Sequence, residues 1–169
     1  HVEKAFPESR YGGYTRHDGT IAFMNRVHAL LRPGQVVVDA GCGRGRISSD
    51  PCAWRERLRD LRGENRRVIG IDIDPASATN PCSTEFRLIV DPARWPVDDR
   101  SADLVLSDFV LEHVEEPLIY LSEAARVLRP GGIFAARTPS RWGYPAIASQ
   151  LTPHRHKARL LAKVQATRA

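Results

Sequence analysis

Val36-Val37-Val38-Asp39-Ala40-Gly41-Cys42-Gly43-Arg44-Gly45 joins a β-branched run to an acidic residue and then to three glycines at alternate positions. An uninterrupted β-branched run suits a strand covered on both faces, as in a parallel sheet. Glycine lacks a Cβ and tolerates positive φ, so the loop that follows lets backbone approach a ligand closely. The stretch predicts a buried strand that ends in a nucleotide-cofactor loop. A dinucleotide fingerprint places its third glycine three residues after the second. That position holds Arg46, while Gly45 follows Gly43 by two, so the loop does not fit NAD.

Outward from this turn, strand and helix signals alternate. Asp18 stands where it can cap a helix over residues 19–31, with Ile21, Met24, Val27, Leu30 and Leu31 on one face and Pro33-Gly34 as a stop. Asp50 and Pro51 predict the start of a second helix over residues 51–61, with Trp54, Leu58 and Leu61 at helical spacing. Strands are predicted over residues 67–73, 86–90, 102–107 and 133–137. A helix over residues 117–128 turns Leu118, Leu121, Ala125 and Leu128 inward and stops at Pro130-Gly131-Gly132. The expected fold is α/β: a doubly wound, Rossmann-like, mainly parallel sheet of five strands, with ligands at the carboxyl ends of the strands. Beyond Arg137 the strand signal stops; residues 144–151 and 155–167 have helical spacing. The expected organisation is an N-terminal segment and flanking helix over 1–34, a cofactor-binding core over 35–140, and a helical basic tail over 141–169.

Length and composition narrow the function. A chain of 169 residues with 42% hydrophobic and 27% charged residues suits one soluble domain. No apolar run reaches the roughly 20 residues that a membrane span needs, and the first residues do not resemble a signal peptide. A cytoplasmic setting is expected. Cys42, Cys52 and Cys82 are odd in number and form no C-x-x-C pair, which argues for reduced thiols and against a disulfide framework or a metal site. The net charge is +5, and Arg155, Lys157, Arg159, Lys163 and Arg168 account for all of it. The surplus therefore sits in residues 153–169, which have no interleaved aromatics for stacking on bases, and no specific nucleic-acid partner is expected.

The glycine loop is followed in register by several further motifs: Ile71-Asp72-Ile73-Asp74-Pro75, Asp91, Pro96, Asp98-Asp99, Asp103-Leu104-Val105-Leu106-Ser107, Leu111-Glu112-His113-Val114, Glu123 to Gly132, and Thr138-Pro139. Together they resemble the class I S-adenosylmethionine-dependent methyltransferases of small-molecule type, the group that includes the ubiquinone and menaquinone biosynthesis enzymes. The resemblance covers about residues 35–140. It implies S-adenosylmethionine as cofactor, bound by Asp39, Gly41, Cys42, Gly43, Gly45, Asp72, Ile73, Asp91, Ser107 and Asp108. Within that set Asp39 would orient the methionine ammonium, Asp72 would accept both ribose hydroxyls, Asp91 would meet the adenine amino group, and Ser107-Asp108 would line the methionine end. Asp74 is the alternative to Asp72, unless it begins a turn. Two positions depart from the pattern. Ala102 stands where phenylalanine is usual, and Pro92 removes an N–H that such proteins often offer to adenine.

A sulfonium is an activated leaving group, so the protein's main task is to align the acceptor and exclude water. His113, six residues past the fourth strand, is the candidate proton acceptor, with helix capping as its structural alternative. Tyr11 and Arg16 are candidates to close over the cofactor carboxylate. The expected activity is methyl transfer to a small-molecule acceptor. A non-catalytic cofactor-binding module is the first rival and a nucleic-acid methyltransferase the second, although Ser107-Asp108-Phe109-Val110 lacks the N/D-P-P-Y/F of enzymes that methylate base amino groups. Class I enzymes complete their sheet with a C-terminal antiparallel hairpin, which is not legible here. The absence of an initiator methionine also points to a trimmed chain. A sheet without that hairpin would leave the fifth strand open at its edge, to be covered by the tail or to pair with a second copy; it would also enclose the substrate poorly.

Overall fold

Asp18 begins the first helix as expected. Its carboxylate accepts the backbone N–H groups of Thr20 and Ile21 at 2.9 and 3.0 Å, and the Arg55 guanidinium lies 2.6 Å away. The computed structural model describes residues 4, 7, 12–14, 17–45, 52–63 and 65–139. The helices described from end to end are α1 (Gly19–Leu30), α2 (Ala53–Arg59) and α3 (Pro117–Val127). The strands are β1 (Val36–Ala40), β2 (Arg67–Asp72), β3 (Glu85–Leu88), β4 (Ala102–Asp108) and β5 (Leu128–Arg137). Short 3-10 turns occupy Pro75–Thr79 and Leu111–His113.

The strands form one sheet in the order β3-β2-β1-β4-β5, and every pairing is parallel. Alternate residues of β1 serve opposite layers. Val38 and Ala40 pack with Ile69, Ile71, Trp95, Val105 and the α3 residues Tyr120, Ala124 and Val127. Val37 packs with Leu104, Leu106, the α1 residues Ile21, Met24 and Val27, and Leu58 and Leu61 from α2 and its exit. Full burial of such a side chain contributes about 1.5–3 kcal/mol. Two layers of helix over a parallel sheet are the doubly wound architecture that the alternation of signals predicts. The expectation that the C-terminal hairpin is absent, and the two helices predicted in the tail, concern residues outside those described.

Several local expectations need correction. The second helix starts at Ala53 with Cys52 at the cap position; Asp50 and Pro51 lie outside the described residues. Trp54 is exposed, whereas Leu58 and Leu61 are buried. β2 ends at Asp72, and β3 runs from 85 to 88 instead of 86 to 90. In α3 the buried residues are Tyr120, Glu123, Ala124 and Val127, while Leu118, Leu121 and Ala125 face outward. The face is rotated because Glu123 is a satisfied interior carboxylate. It accepts the Trp95 N–H at 2.6 Å and pairs with Arg126, which also binds Asp99 and the carbonyls of Trp95 and Val97. Pro130-Gly131-Gly132 is not the helix stop either. The helix ends at Val127, Leu128 is already extended, and the three residues lie inside β5 near a register shift.

Asp18→Ala should lower stability by about 1–2 kcal/mol, the usual cost of losing a helix cap, as read by urea denaturation at pH 7. Burial opposes ionisation of Asp18, but the Ile21 N–H and Arg55 outweigh it and hold the carboxyl below its ordinary value of 3.8. Its stabilising contribution is complete above that value and fades as pH falls through the lower folded one. The gap between parent and variant should therefore narrow in acid.

Candidate active site

The strand order reverses direction between β1 and β4, the place where open α/β sheets leave a crevice at the carboxyl ends of their strands. Three carboxylates converge there. Asp39 is paired in register with Gly70 on one side and Leu106 on the other. Asp72 and Asp108 lie two residues beyond those partners, so all three project from the same sheet face, with Asp39 deeper by roughly 6.5 Å. Burial, followed by the charges of Asp108 and Asp72, raises the Asp39 carboxyl from its ordinary 3.8 to about 7.

The three glycines have different duties. All have positive φ, between 56° and 76°. A Cβ on Gly41 would lie 2.5 Å from Val110 Cγ2, and one on Gly45 would strike the Asn80 side chain. Those two glycines permit packing. Gly43 is different, because a Cβ there would meet nothing within 4 Å. The loop is tied down by the N–H groups of Gly41 and Cys42, which donate to the Ile71 carbonyl at 2.8 and 3.2 Å. Asn80 Nδ2 binds the Cys42 carbonyl at 2.9 Å. Burial, then the Asp39 and Asp72 carboxylates, push the Cys42 thiol up to about 12, so it is not a nucleophile.

Asp72 Oδ2 accepts the Gly43 N–H at 2.8 Å, and Oδ1 accepts the Asp74 N–H at 2.9 Å. Asp74 is engaged elsewhere: it caps the 3-10 turn through the Ala76 N–H and pairs with Arg44 at 2.9 Å. The pair Ser107-Asp108 splits between faces. Ser107 is fully buried and its hydroxyl meets that of Tyr120 at 2.9 Å, on the α3 side. The expectation that both side chains line one ligand face is therefore corrected for Ser107, which points to the α3 layer, away from the face that carries Asp108. Ile73 is 72% exposed. Asp91 is exposed in the loop after β3, where Oδ1 accepts the Ala93 N–H at 2.9 Å. His113 is exposed on the 3-10 turn after β4. Tyr11 and Arg16 lie outside the described residues.

Sequence reading missed Tyr120, Asn80, Phe109 and Arg137. Tyr120 and Asn80 support the glycine loop from behind by way of Ala40 and Cys42 carbonyls, a role without a sequence signal. Arg137 had one, as a charged residue ending the apolar run Ile133-Phe134-Ala135-Ala136. Both its nitrogens Nε and Nη2 bind Asp108, at 2.6 and 2.7 Å. Among the described residues no cluster suited to a metal ion occurs.

Residues 38–136 match the family described as methyltransferase domain, and the chain belongs to that family. It is 35% identical over 131 residues to a protein of Mycolicibacterium smegmatis named as a probable S-adenosylmethionine-dependent methyltransferase, covering 76% of this chain and 46% of the relative. It is 32% identical over 111 residues to malonyl-[acyl-carrier protein] O-methyltransferase of Hahella chejuensis, covering 62% and 37%. The chain thus spans less than half the length of these relatives. A solved S-adenosylmethionine-dependent methyltransferase from Aquifex aeolicus superposes with a TM-score of 0.55 at 20% identity, over 77% of this chain and 74% of that one. The [4+2]-cyclase SpnF superposes equally well, with a TM-score of 0.55 at 23% identity, over 73% and 47%. These likenesses show the shared fold.

Two outcomes follow from this geometry. Gly41→Ala should destabilise the fold by more than 1 kcal/mol, because strain at positive φ adds to the collision with Val110; Gly43→Ala should melt closer to the parent and instead obstruct the crevice. Asp39→Asn should stabilise the unliganded protein at pH 8. The raised carboxyl makes the folded state bind more protons than the unfolded one between about pH 4 and 7, so its ionisation costs stability as pH rises through that window. The advantage of the variant should vanish below pH 4, as followed by denaturation across that range.

Proposed function

We propose that this chain binds S-adenosylmethionine in the crevice between β1 and β4 and transfers its methyl group to a small-molecule acceptor. The observation that carries the reading is the conjunction of the open side of Gly43 with Asp39, Asp72 and Asp108 at one sheet face. A backbone without Cβ admits a flat nucleoside closely, and an anionic rim suits a donor whose sulfonium and ammonium groups are both cationic. The residues present therefore fit the cofactor. Asp72, already next to Gly43, is the proposed ribose acceptor; Asp39 takes the methionine ammonium, Asp108 lines that end beside it, and Asp91 with the exposed Ile73 takes the adenine side. When bound, the cofactor supplies a methyl group activated as a sulfonium. The chain's own part is to orient the acceptor and exclude water.

His113 is the proposed proton acceptor for a hydroxyl or amine, given its exposure just beyond β4. The names of the relatives span both oxygen and nitrogen chemistry: malonyl-[acyl-carrier protein] O-methyltransferase, and dimethylglycine N-methyltransferase of Parasynechococcus marenigrum, 28% identical over 155 residues. This breadth supports a small acceptor without selecting its atom. The division into a flank over 1–34, a core over 35–140 and a tail over 141–169 is part of the same reading. So are a cytoplasmic setting and pairing of two copies along β5. No helix among the described residues is long and apolar enough to cross a membrane.

Calorimetric titration with S-adenosylhomocysteine separates cofactor binding from the acceptor. Binding is expected, and Asp72→Ala should weaken it roughly 10- to 100-fold, the loss of charge-assisted hydrogen bonds worth about 1.5–3 kcal/mol. A well-folded Asp72→Ala that binds as tightly as the parent would overturn the ribose assignment, and failure of the parent to bind would overturn the function.

A further inference from the structure

Arg137 is held from every side. Its Nε and Nη2 take both oxygens of Asp108, its Nη1 donates to Thr20 Oγ1 at 3.0 Å, and its guanidinium lies 4.3 Å from the Phe109 ring centroid and 5.1 Å from that of Phe23. Phe109 adopts a φ of 57°, a left-handed backbone that a bulky residue keeps only when its surroundings impose it, and its N–H binds the Arg137 carbonyl at 2.8 Å. Arg137 and Asp108 are also register partners across β4 and β5. The arginine thus joins α1, β4 and β5 at the mouth of the crevice.

Its partner, Asp108, is one of two carboxylates that flank the deeper Asp39. Besides burial, the groups that act on Asp39 are Asp108 from β4 and Asp72 from β2; Asp39 in turn raises the Cys42 thiol of the glycine loop, the Cys82 thiol before β3 and the Tyr120 hydroxyl of α3, none of which brings a positive charge to it. Asp72 has its oxygens on backbone N–H groups, which carry no full charge. Of the two, Asp108 is the one with a cation bound to both oxygens. We propose that Arg137 is a positioning residue that sets the charge of the crevice: by holding Asp108 it leaves Asp39 as the carboxylate that meets a cationic ligand. The inference rests on the cofactor reading above for the identity of that ligand, but its electrostatic content does not. Lysine would keep the charge without the planar fork that grips both oxygens and stacks on two rings.

The test is a titration of the Asp39 carboxyl carbon by NMR in the full, unliganded chain, followed by S-adenosylhomocysteine binding across pH 5–8. Arg137→Gln leaves Asp108 uncompensated and should move the Asp39 midpoint up by about one pH unit. Asp108→Asn removes the neighbouring negative charge and should move it down by a similar amount, and the double variant should return near the parent. Affinity for S-adenosylhomocysteine should follow, with Arg137→Gln losing about three- to tenfold at pH 7 and Asp108→Asn keeping its affinity further into acid. A merely structural arginine would not shift the two single variants in opposite directions. Midpoints that stay put, or that move the same way in both, overturn the proposal even if the parent binds. Opposite shifts in a protein that fails to bind S-adenosylhomocysteine uphold the role of Arg137 and reject the cofactor instead. If Arg137→Gln does not fold, Asp108→Asn and Arg137→Lys carry the test, the latter with an upward shift smaller than that expected for glutamine.

Discussion

The burial of β1 between β2 and β4 is the constraint on which the site depends. A strand with neighbours on both edges and helices over both faces cannot turn a side chain to solvent along its length, so its polar residue has to emerge at the end. Asp39 does so one residue before the strand stops, and its register partners place Asp72 and Asp108 beside it. Crowding of like charges is then a result of parallel pairing itself. Desolvation and repulsion raise the Asp39 carboxyl to about 7, an upward push that a cationic group would relieve. The same pleat sends Ser107 to the opposite layer, where it meets Tyr120.

Packing around the crevice is organised by a second buried polar group. Glu123 accepts the Trp95 N–H and holds Arg126, which reaches Asp99 and two carbonyls of the loop between β3 and β4. Arg126 is raised further above its already high ordinary value, first by the Glu123 carboxylate. An ion pair of this kind costs desolvation that its attraction only partly repays, but here it also satisfies backbone groups that no strand partner covers. The loop that carries Asp91 is anchored to α3 by this means, with Trp95 set edge-on to Tyr120 at 4.9 Å. The back of the glycine loop and the loop after β3 therefore rest on one helix.

The sheet was legible because its signals are local: β-branched runs, capping acids and helix spacing place all five strands within about two residues, save the early start of β5. The glycine loop was legible for the same reason. What escaped reading depends on contacts distant in sequence. Nothing in the spacing of α3 distinguishes Leu121, which faces outward, from Glu123, which faces in, because the partner that makes Glu123 tolerable inside is a backbone N–H 28 residues away. The division of labour among Gly41, Gly43 and Gly45 is equally hidden, since it is set by Val110 and Asn80. Arg137 reads as a strand terminus until Asp108, Thr20 and two phenyl rings are seen around it. Charged residues that look like surface in a linear reading are the ones most dependent on the fold.

α3 passes into β5 without a connecting residue, Val127 closing the helix and Leu128 opening the strand. The ladder to β4 then jumps from Leu128 to Ile133 and runs without interruption from Ile133 to Arg137. Insertion or deletion of a single residue directly after Ile133 would exchange the two faces of that run, carrying Phe134 away from the α3 layer and Ala135 away from the α1 layer. Arg137 would leave the side on which Asp108 waits. The count of residues from Ile133 to Arg137 is thus itself a constraint, set by the pleat and independent of which letters fill it.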